Sequence, residues 1–306
     1  MAFEPARSVV IVNPAARGGA VGRGWAALSA RVTRALGDVR FAPTDRPGHA
    51  AELARRAAEE GATAVLSLGG DGTHHEVVQG LMRAGAHGAS FGVLPAGTGG
   101  DLRRSLRAPS LEAALATIPT AAARAVDVGH AAFVTDEGAP AERWFVNLAS
   151  CGVGGHVDRR VNASRKTFGA LSFTLAAARA LADFKPPRVR VFGDGEFLGE
   201  REVALVAAGN GRYAGGGMCF APSAELDDGH LDAVVIDHAP PWRSLLDAPR
   251  LYTGALAASP RVTTRRVREL RVEVVRGVAP VDLDGESPGR APVTWSVVPG
   301  ALRLLG

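Results

Sequence analysis

The stretch Ser67-Leu68-Gly69-Gly70-Asp71-Gly72-Thr73-His74-His75-Glu76 constrains this chain more than any other. An apolar run, Ala64 to Leu68, has the length of a buried strand and leads into three glycines set around one carboxylate. Each glycine loses extra backbone entropy on folding, so a cluster of three is not explained by stability. What glycine gives in return is a sharp turn and a close approach of backbone to another group. Between the carboxyl end of a strand and the start of a helix, that group is usually phosphate, met by backbone N–H groups. The pattern that follows predicts a helix over 74–83. A tight strand-to-helix turn with no ligand is the plainer alternative.

A second stretch repeats the theme. The run Phe91 to Leu94 predicts a strand, and Pro95-Ala96-Gly97-Thr98-Gly99-Gly100-Asp101 follows it. In an open parallel sheet, ligands bind outside the carboxyl ends of the strands, so both loops are expected to line one crevice. Each offers N–H groups and a hydroxyl for phosphate, and a carboxylate suited to a magnesium ion bridging phosphates. Asn13 to Gly19 ends a third strand and adds Arg17, which either meets phosphate or belongs to an ordinary glycine-rich loop. No Gly-Lys-Ser/Thr follows the glycines and no G-x-G-x-x-G opens the first helix, so neither standard nucleotide fingerprint is present.

The surrounding pattern sets these loops in an α/β frame. Strands are predicted at 8–12, 39–42, 64–68 and 91–94, alternating with helices at 24–36, 48–60, 74–83 and 111–118. That alternation predicts a mostly parallel sheet with helices on both faces. After about Gly129 the texture changes to strands joined by turns, at 131–134, 144–149, 188–192, 203–208, 231–236, 270–275 and 293–298. Helical interruptions are expected only near 172–184 and 242–256, and Asp136 to Glu142 is a hairpin or loose loop. The expectation is two domains, 1–128 binding nucleotide and 129–306 antiparallel and β-sandwich-like, with the last strand free to pack back on the first.

Charge narrows the partners. The net charge is +4, and all but two of the 35 basic residues are arginine, the exceptions being Lys166 and Lys185. They are scattered, with clusters at Arg103-Arg104, Arg159-Arg160 and Arg261 to Arg268, and no aromatic-interleaved basic stretch argues for nucleic acid. Weak attraction to anionic surfaces fits better. Cys151 and Cys219 stand in no metal or disulfide spacing, and Cys151 reads as a small buried residue rather than a nucleophile. With no signal-type N-terminus and no apolar run of about 20 residues, the expectation is a cytoplasmic protein, peripheral at most at the inner membrane face. A homodimer is left open.

The motifs together resemble a known family. Ser67 to Glu76 is similar to the GGDGT signature shared by diacylglycerol-kinase-type lipid kinases, sphingosine kinases, NAD kinases and phosphofructokinases. Val9 to Gly19 resembles the NP-x-x-G-G opening of the lipid kinases, Leu94 to Leu106 their P-x-GTGND segment, and Phe145 to Val157 their N-x-x-S-x-G stretch. Gly209-Asn210, Gly215-Gly216-Gly217, Ala221 to Ala224 and Asp227 to Asp232 form a long match, and Val281 to Glu286 resembles their late DGE motif. The resemblance runs in order over nearly the whole chain.

It implies an NAD-kinase/phosphofructokinase-like first domain and transfer of the γ-phosphoryl group of ATP, with Mg2+, to a lipid hydroxyl in the interdomain cleft. It implies ATP contacts from Asn13, Thr44, Gly69, Gly70, Asp71, Gly72, Thr73, His74, His75, Gly97 and Thr98, with Asp71 and Asp101 near phosphates and metal. Glu286 is implied as the general base. Asp228, with backbone oxygens of Glu225 and His230, is implied as a second magnesium site. Asp127 and Lys166 are implied as polar support, and the helix at 172–184 either lines an acyl groove or packs on the second domain. Two positions depart: Gly100 and His75 stand where the family usually has asparagine. The rival readings are an NAD-kinase-type enzyme, a non-catalytic nucleotide or lipid binder, and an electrostatic membrane module.

Overall fold

A computed structural model describes residues 3–85, 88–97, 100–106, 110–156 and 183–306. The chain divides into two compact units, residues 1–128 together with 298–306, and residues 129–297.

The first unit is built on parallel pairing. Ser8–Val12 (β1) lies between Arg40–Pro43 (β2) and Ala64–Gly69 (β3), parallel to both. Ser90–Pro95 (β4) extends the sheet in parallel from β3. The chain's last residues complete it, with Arg303, Leu304 and Leu305 parallel to β4 opposite Ser90, Phe91 and Gly92. β1 and β3 are buried along their whole length and apolar but for Ser8 and Ser67, as parallel strands covered on both faces are. Between the strands run the helices Ala16–Arg23 (α1), Trp25–Leu36 (α2), His49–Glu59 (α3), Asp71–Arg83 (α4), Asp101–Ser105 (α5) and Leu111–Thr117 (α6). Val10, Val12, Leu66, Leu68 and Leu94 meet Val32, Leu36 and Ile118 in its core.

Two elements of this unit differ from the sequence reading. The helix expected from His74 begins at Asp71, so Asp-Gly-Thr forms its first turn and Gly70 is its cap residue. The glycine-rich segment after Asn13 is wound into α1, but with φ of 53°, 63° and 84° at Arg17, Gly18 and Gly19. Two of these three left-handed residues are glycine, where that conformation carries no Cβ penalty.

The second unit is antiparallel. It is formed by Gly129 onward of Arg124–Val134 (β5), then Pro140–Phe145 (β6), Leu148–Gly152 (β7), Arg188–Gly193 (β8), Glu196–Gly209 (β9), Leu231–Asp237 (β12), Val262–Val267 (β13), Glu269–Arg276 (β14), Pro280–Leu283 (β15) and the first part of Glu286–Leu305 (β16). A small hairpin, Tyr213–Ala214 (β10) with Met218–Cys219 (β11), stands apart, and the helix Pro241–Thr253 (α7) follows β12. β9 is long enough to serve two neighbourhoods, pairing β8 through 196–202, then β12 through 203–209 and β7 through 205–209. The pairings therefore return on themselves, from β9 through β7, β15, β16, β14 and β8 to β9. Inside that circuit Phe145, Val206, Leu231, Leu270, Leu283 and Trp295 form the core.

The strand expected over 144–149 is two strands, broken at Val146-Asn147. Asp136 to Glu142 resolves into the turn and second strand of the β5–β6 hairpin, closed by Thr135 N–H on the Ala139 carbonyl. The basic cluster Arg261 to Arg268 forms β13 and its ends, and most of its charge is countered. Arg265 pairs with Glu196 at 2.6 Å, Arg261 with Asp247, and Arg266 with Asp228. Most of the helix expected at 172–184, and Lys166, lie outside the described residues. Among the described residues no helix is long and apolar enough to cross a membrane.

Candidate active site

In the first unit, the sequence-predicted residues gather at the carboxyl ends of the parallel strands. Asn13 follows β1, Thr44 follows β2, Gly69 ends β3 and Gly97 follows β4. Backbone bonds tie these ends together: Asn13 N–H donates to Leu68, Thr44 N–H to Val12 and Ala96 N–H to Gly69, at 2.8–3.0 Å. Thr98 lies outside the described residues.

The glycines here are demanded by space. A Cβ on Gly97 would come within 2.5 Å of the Gly70 Cα, and one on Gly69 within 2.5 Å of the Thr73 hydroxyl oxygen. The two turns therefore touch backbone to backbone, and a side chain on Gly97 would separate them. Asn13 fixes the third turn, with its amide donating to Thr73 Oγ1 at 3.0 Å while its Oδ1 accepts from Ala15 N–H at 3.0 Å.

Asp71 is the first residue of α4, where the helix dipole favours negative charge. Its Oδ2 accepts from the backbone N–H of Gly100 at 2.8 Å. Gly100, at φ 124°, thus contributes main chain where the family's side chain is missing. Asp101 opens α5, half-buried, with Oδ1 accepting from Arg104 at 2.9 Å. The two carboxylates are hard oxygen donors at the starts of two helices. A magnesium ion that keeps waters and phosphate oxygens as its other ligands needs no more from the protein.

Two of the implied contact residues have buried side chains. His74 is buried, its Nδ1 at 2.7 Å from Ser67 Oγ, and burial lowers its pKa to about 3. Its imidazole is a neutral part of the core, with no surface to offer a nucleotide. His75 is likewise buried. Sequence reasoning also missed the role of Glu76. Its two oxygens accept from Gly48 and Ala50 N–H at 2.9 and 3.1 Å, capping the start of α3 from α4.

In the second unit, Glu286 opens β16 at the tip of the β15–β16 hairpin, exposed. The two turn residues, Asp284 and Gly285, both have positive φ, 53° and 89°, as a type I′ turn requires. Two neighbouring acids are consumed in structure. Asp284 accepts from Val146, Asn147 and Leu148 N–H at 2.9, 3.0 and 3.0 Å, and Asp282 Oδ1 from Gly285 N–H at 2.8 Å. Asp127, in the first unit, is buried and accepts from Gly300 N–H at 2.8 Å.

At the implied second magnesium site the Asp228 carboxylate already has partners in the protein. Asp228 Oδ1 accepts from His230 N–H at 2.9 Å, while Oδ2 faces the guanidinium of Arg266, where a metal ion would sit. All three glycines of the β10–β11 turn, 215–217, have positive φ, a conformation that favours glycine. Cys151 is buried, and burial pushes its thiol up to about 12, which rules it out as a nucleophile at neutral pH.

Phosphate-type turns at the ends of parallel strands, joined in one chain to a closed antiparallel unit, define a kinase of the NAD-kinase and diacylglycerol-kinase fold. Residues 7–131 match the diacylglycerol kinase catalytic domain, and residues 147–306 the YegS C-terminal NAD kinase beta sandwich-like domain. The chain is 31% identical over 258 residues to the "Probable lipid kinase YegS-like" of Pseudomonas aeruginosa UCBPP-PA14, covering 84% of this chain and 81% of that protein. It is 30% identical, with the same coverage, to the diacylglycerol kinase of Mycobacterium tuberculosis H37Rv. A solved structure of "a putative diacylglycerol kinase" from Bacillus anthracis Sterne superposes with TM-score 0.76 at 25% identity, covering 97% of this chain and 94% of that one. Yeast NADH kinase shares the fold alone, with TM-score 0.51 at 14% identity over 98% and 83% of the two chains. The chain belongs to the diacylglycerol kinase family, among its YegS-like lipid kinases.

Proposed function

We propose that the protein transfers the γ-phosphoryl group of ATP to the hydroxyl of a diacylglycerol-like lipid. The observation that carries this is the backbone contact of Gly70 with Gly97, which brings two N–H-rich turns and the Asp71 carboxylate to one edge of a parallel sheet. In this reading Asn13, Thr44, Gly69 to Thr73 and Gly97 hold the nucleotide. Asp71 and Asp101 hold Mg2+, which supplies charge neutralisation on the phosphates. Glu286 orients the lipid hydroxyl and takes its proton while the hydroxyl oxygen bonds to the γ-phosphorus. The bond from that phosphorus to the β,γ-bridging oxygen breaks, and ADP leaves. The reading requires the two units to present these groups to one cleft.

The first prediction tests both halves. Asp71→Ala and Glu286→Gln are each expected to lower lipid phosphorylation by about 10²-fold or more, and Glu286→Gln to leave ATP binding intact. Labelled ATP with a total lipid extract, followed by product identification, measures this and names the acceptor. Wild-type turnover by Glu286→Gln would remove the base from the scheme, and labelling of NAD with no labelled lipid would replace it with the soluble-substrate reading.

A further inference from the structure

The acid two residues before Glu286 has a geometry that an ordinary hairpin turn does not need. A type I′ turn closes on its own backbone, and Asp-Gly or Asn-Gly is enough to form it. Here the Asp284 carboxylate also accepts three consecutive main-chain N–H groups, those of Val146, Asn147 and Leu148, at 2.9–3.0 Å. The bond is returned by Asp284 N–H, which donates to Leu148 O at 3.0 Å. These three donors are free for it because the strand breaks there, between β6 and β7. The break is itself held from the other side. The Asn147 carbonyl accepts from Asn210 and Gly211 N–H, its side-chain amide donates to Tyr213 O, and Asn210 Nδ2 donates to Val146 O at 2.6 Å. One carboxylate thus locks together the hairpin tip at 284–286, the break at 146–148 and, through it, the segment 210–213.

We propose that Asp284 is a positioning residue for Glu286, anchoring the hairpin tip to the β6–β7 break so that the Glu286 carboxylate is held where the acceptor hydroxyl arrives. Glu286 is exposed and carries no such anchor of its own among the bonds described for it. Its placement comes from the turn, and the turn's comes from Asp284. A catalytic group displaced by about 1 Å can lose about 10²-fold in rate, so the anchor is worth what that precision is worth. The inference rests on Glu286 being the base.

Asp284→Asn is the informative substitution, because Asn-Gly is a favoured type I′ sequence and the turn itself is retained. The amide keeps one acceptor oxygen but turns an N–H2 toward one of the three donors. The expected result is a fall in kcat of about 10²-fold with KM for ATP within twofold of wild type, in protein whose unfolding transition is still well above the assay temperature. In a Glu286→Gln background, Asp284→Asn is expected to change the residual rate by less than twofold. Asp284→Gly, which suits the positive φ, gives the same comparison if the asparagine variant does not fold. Val272→Ala, a buried core truncation in the same unit, controls for lost stability and is expected to leave kcat unchanged. Wild-type kcat in Asp284→Asn alongside an inactive Glu286→Gln overturns the positioning role alone, as does an equal loss from Asp284→Asn in both backgrounds. An active Glu286→Gln overturns the base assignment on which it rests.

Discussion

His74 lies three residues after Asp71, yet its chemistry belongs to the core. The imidazole is buried against Ser67 Oγ and is held neutral by burial, with its pKa lowered from 6.5 to about 3. In the unfolded chain the ring titrates near its ordinary value, so between these limits the unfolded state binds more protons. Its contribution is therefore fully present above about pH 6.5 and is lost as pH falls toward about 3. Urea unfolding at intervals from pH 7.5 to 5 is expected to show stability falling by up to about 1.4 kcal/mol per pH unit from this group. His74→Asn, which keeps a hydrogen-bonding group near Ser67, is expected to flatten that slope; an unchanged slope would assign the acid sensitivity to other groups. At this scale, glycine and acidic positions were legible because their spacing is unusual. The partners of His74, Glu76 and Asp284 were not, because a local pattern does not say which distant N–H group or hydroxyl a side chain will find.

Elements were legible where one face of a pattern is buried and obscure where a tertiary partner sets the boundary. The apolar runs at 8–12, 64–68 and 91–94 became strands because nothing but a buried sheet can take them. The start of α4 was misplaced because Gly-Asp-Gly-Thr has turn chemistry, and only the Gly100 and Asn13 contacts to its first turn show why it coils. The same limit applies to the run at 144–149, which reads as one strand until the Asp284 carboxylate takes the N–H groups at its break. Helix contacts hide in sequence too. Gly80 lies inside α4, where alanine is favoured by about 1 kcal/mol in an isolated helix. A Cβ there would stand 2.2 Å from the Ala51 carbonyl oxygen and 2.7 Å from the Ala54 Cβ on α3, neither of which can move without shifting the helix. Gly80→Ala is therefore expected to destabilise the protein by about 1–3 kcal/mol in urea unfolding. A stabilised variant would show that the helices separate at little cost.

At the scale of the whole molecule, family and kinase class were legible because motifs from both units occur in order along one chain. That the last strand could pack back on the first unit was open in the sequence, but its pairing with β4 was not legible, since periodicity says nothing about which strand lies beside which. The first unit needs residues from both ends of the sequence. Leu305 is buried in the same core as Val10, Leu66 and Leu94, and its neighbours pair with β4. Leu305→Ala is expected to cost about 2–5 kcal/mol, as for a fully packed leucine, and to weaken ATP binding although no nucleotide contact is removed. Calorimetric ATP titration and urea unfolding of the same sample check both. Unchanged values would mean that the closing strand is dispensable to the sheet it edges.

That dependence has a consequence for the order in which the protein is made. Residues 129–297 form one uninterrupted stretch and can complete their pairings while synthesis is still under way. The glycine turns at Gly69 and Gly97 are translated early, but residues 303–305, which pair with β4, are translated only after residues 129–297. During the interval β4 presents an unpaired edge, the kind of surface that invites association with other chains. The nascent kinase therefore passes through a state in which its phosphate-type turns exist before β4 has its partner at 303–305, and synthesis of those residues ends it.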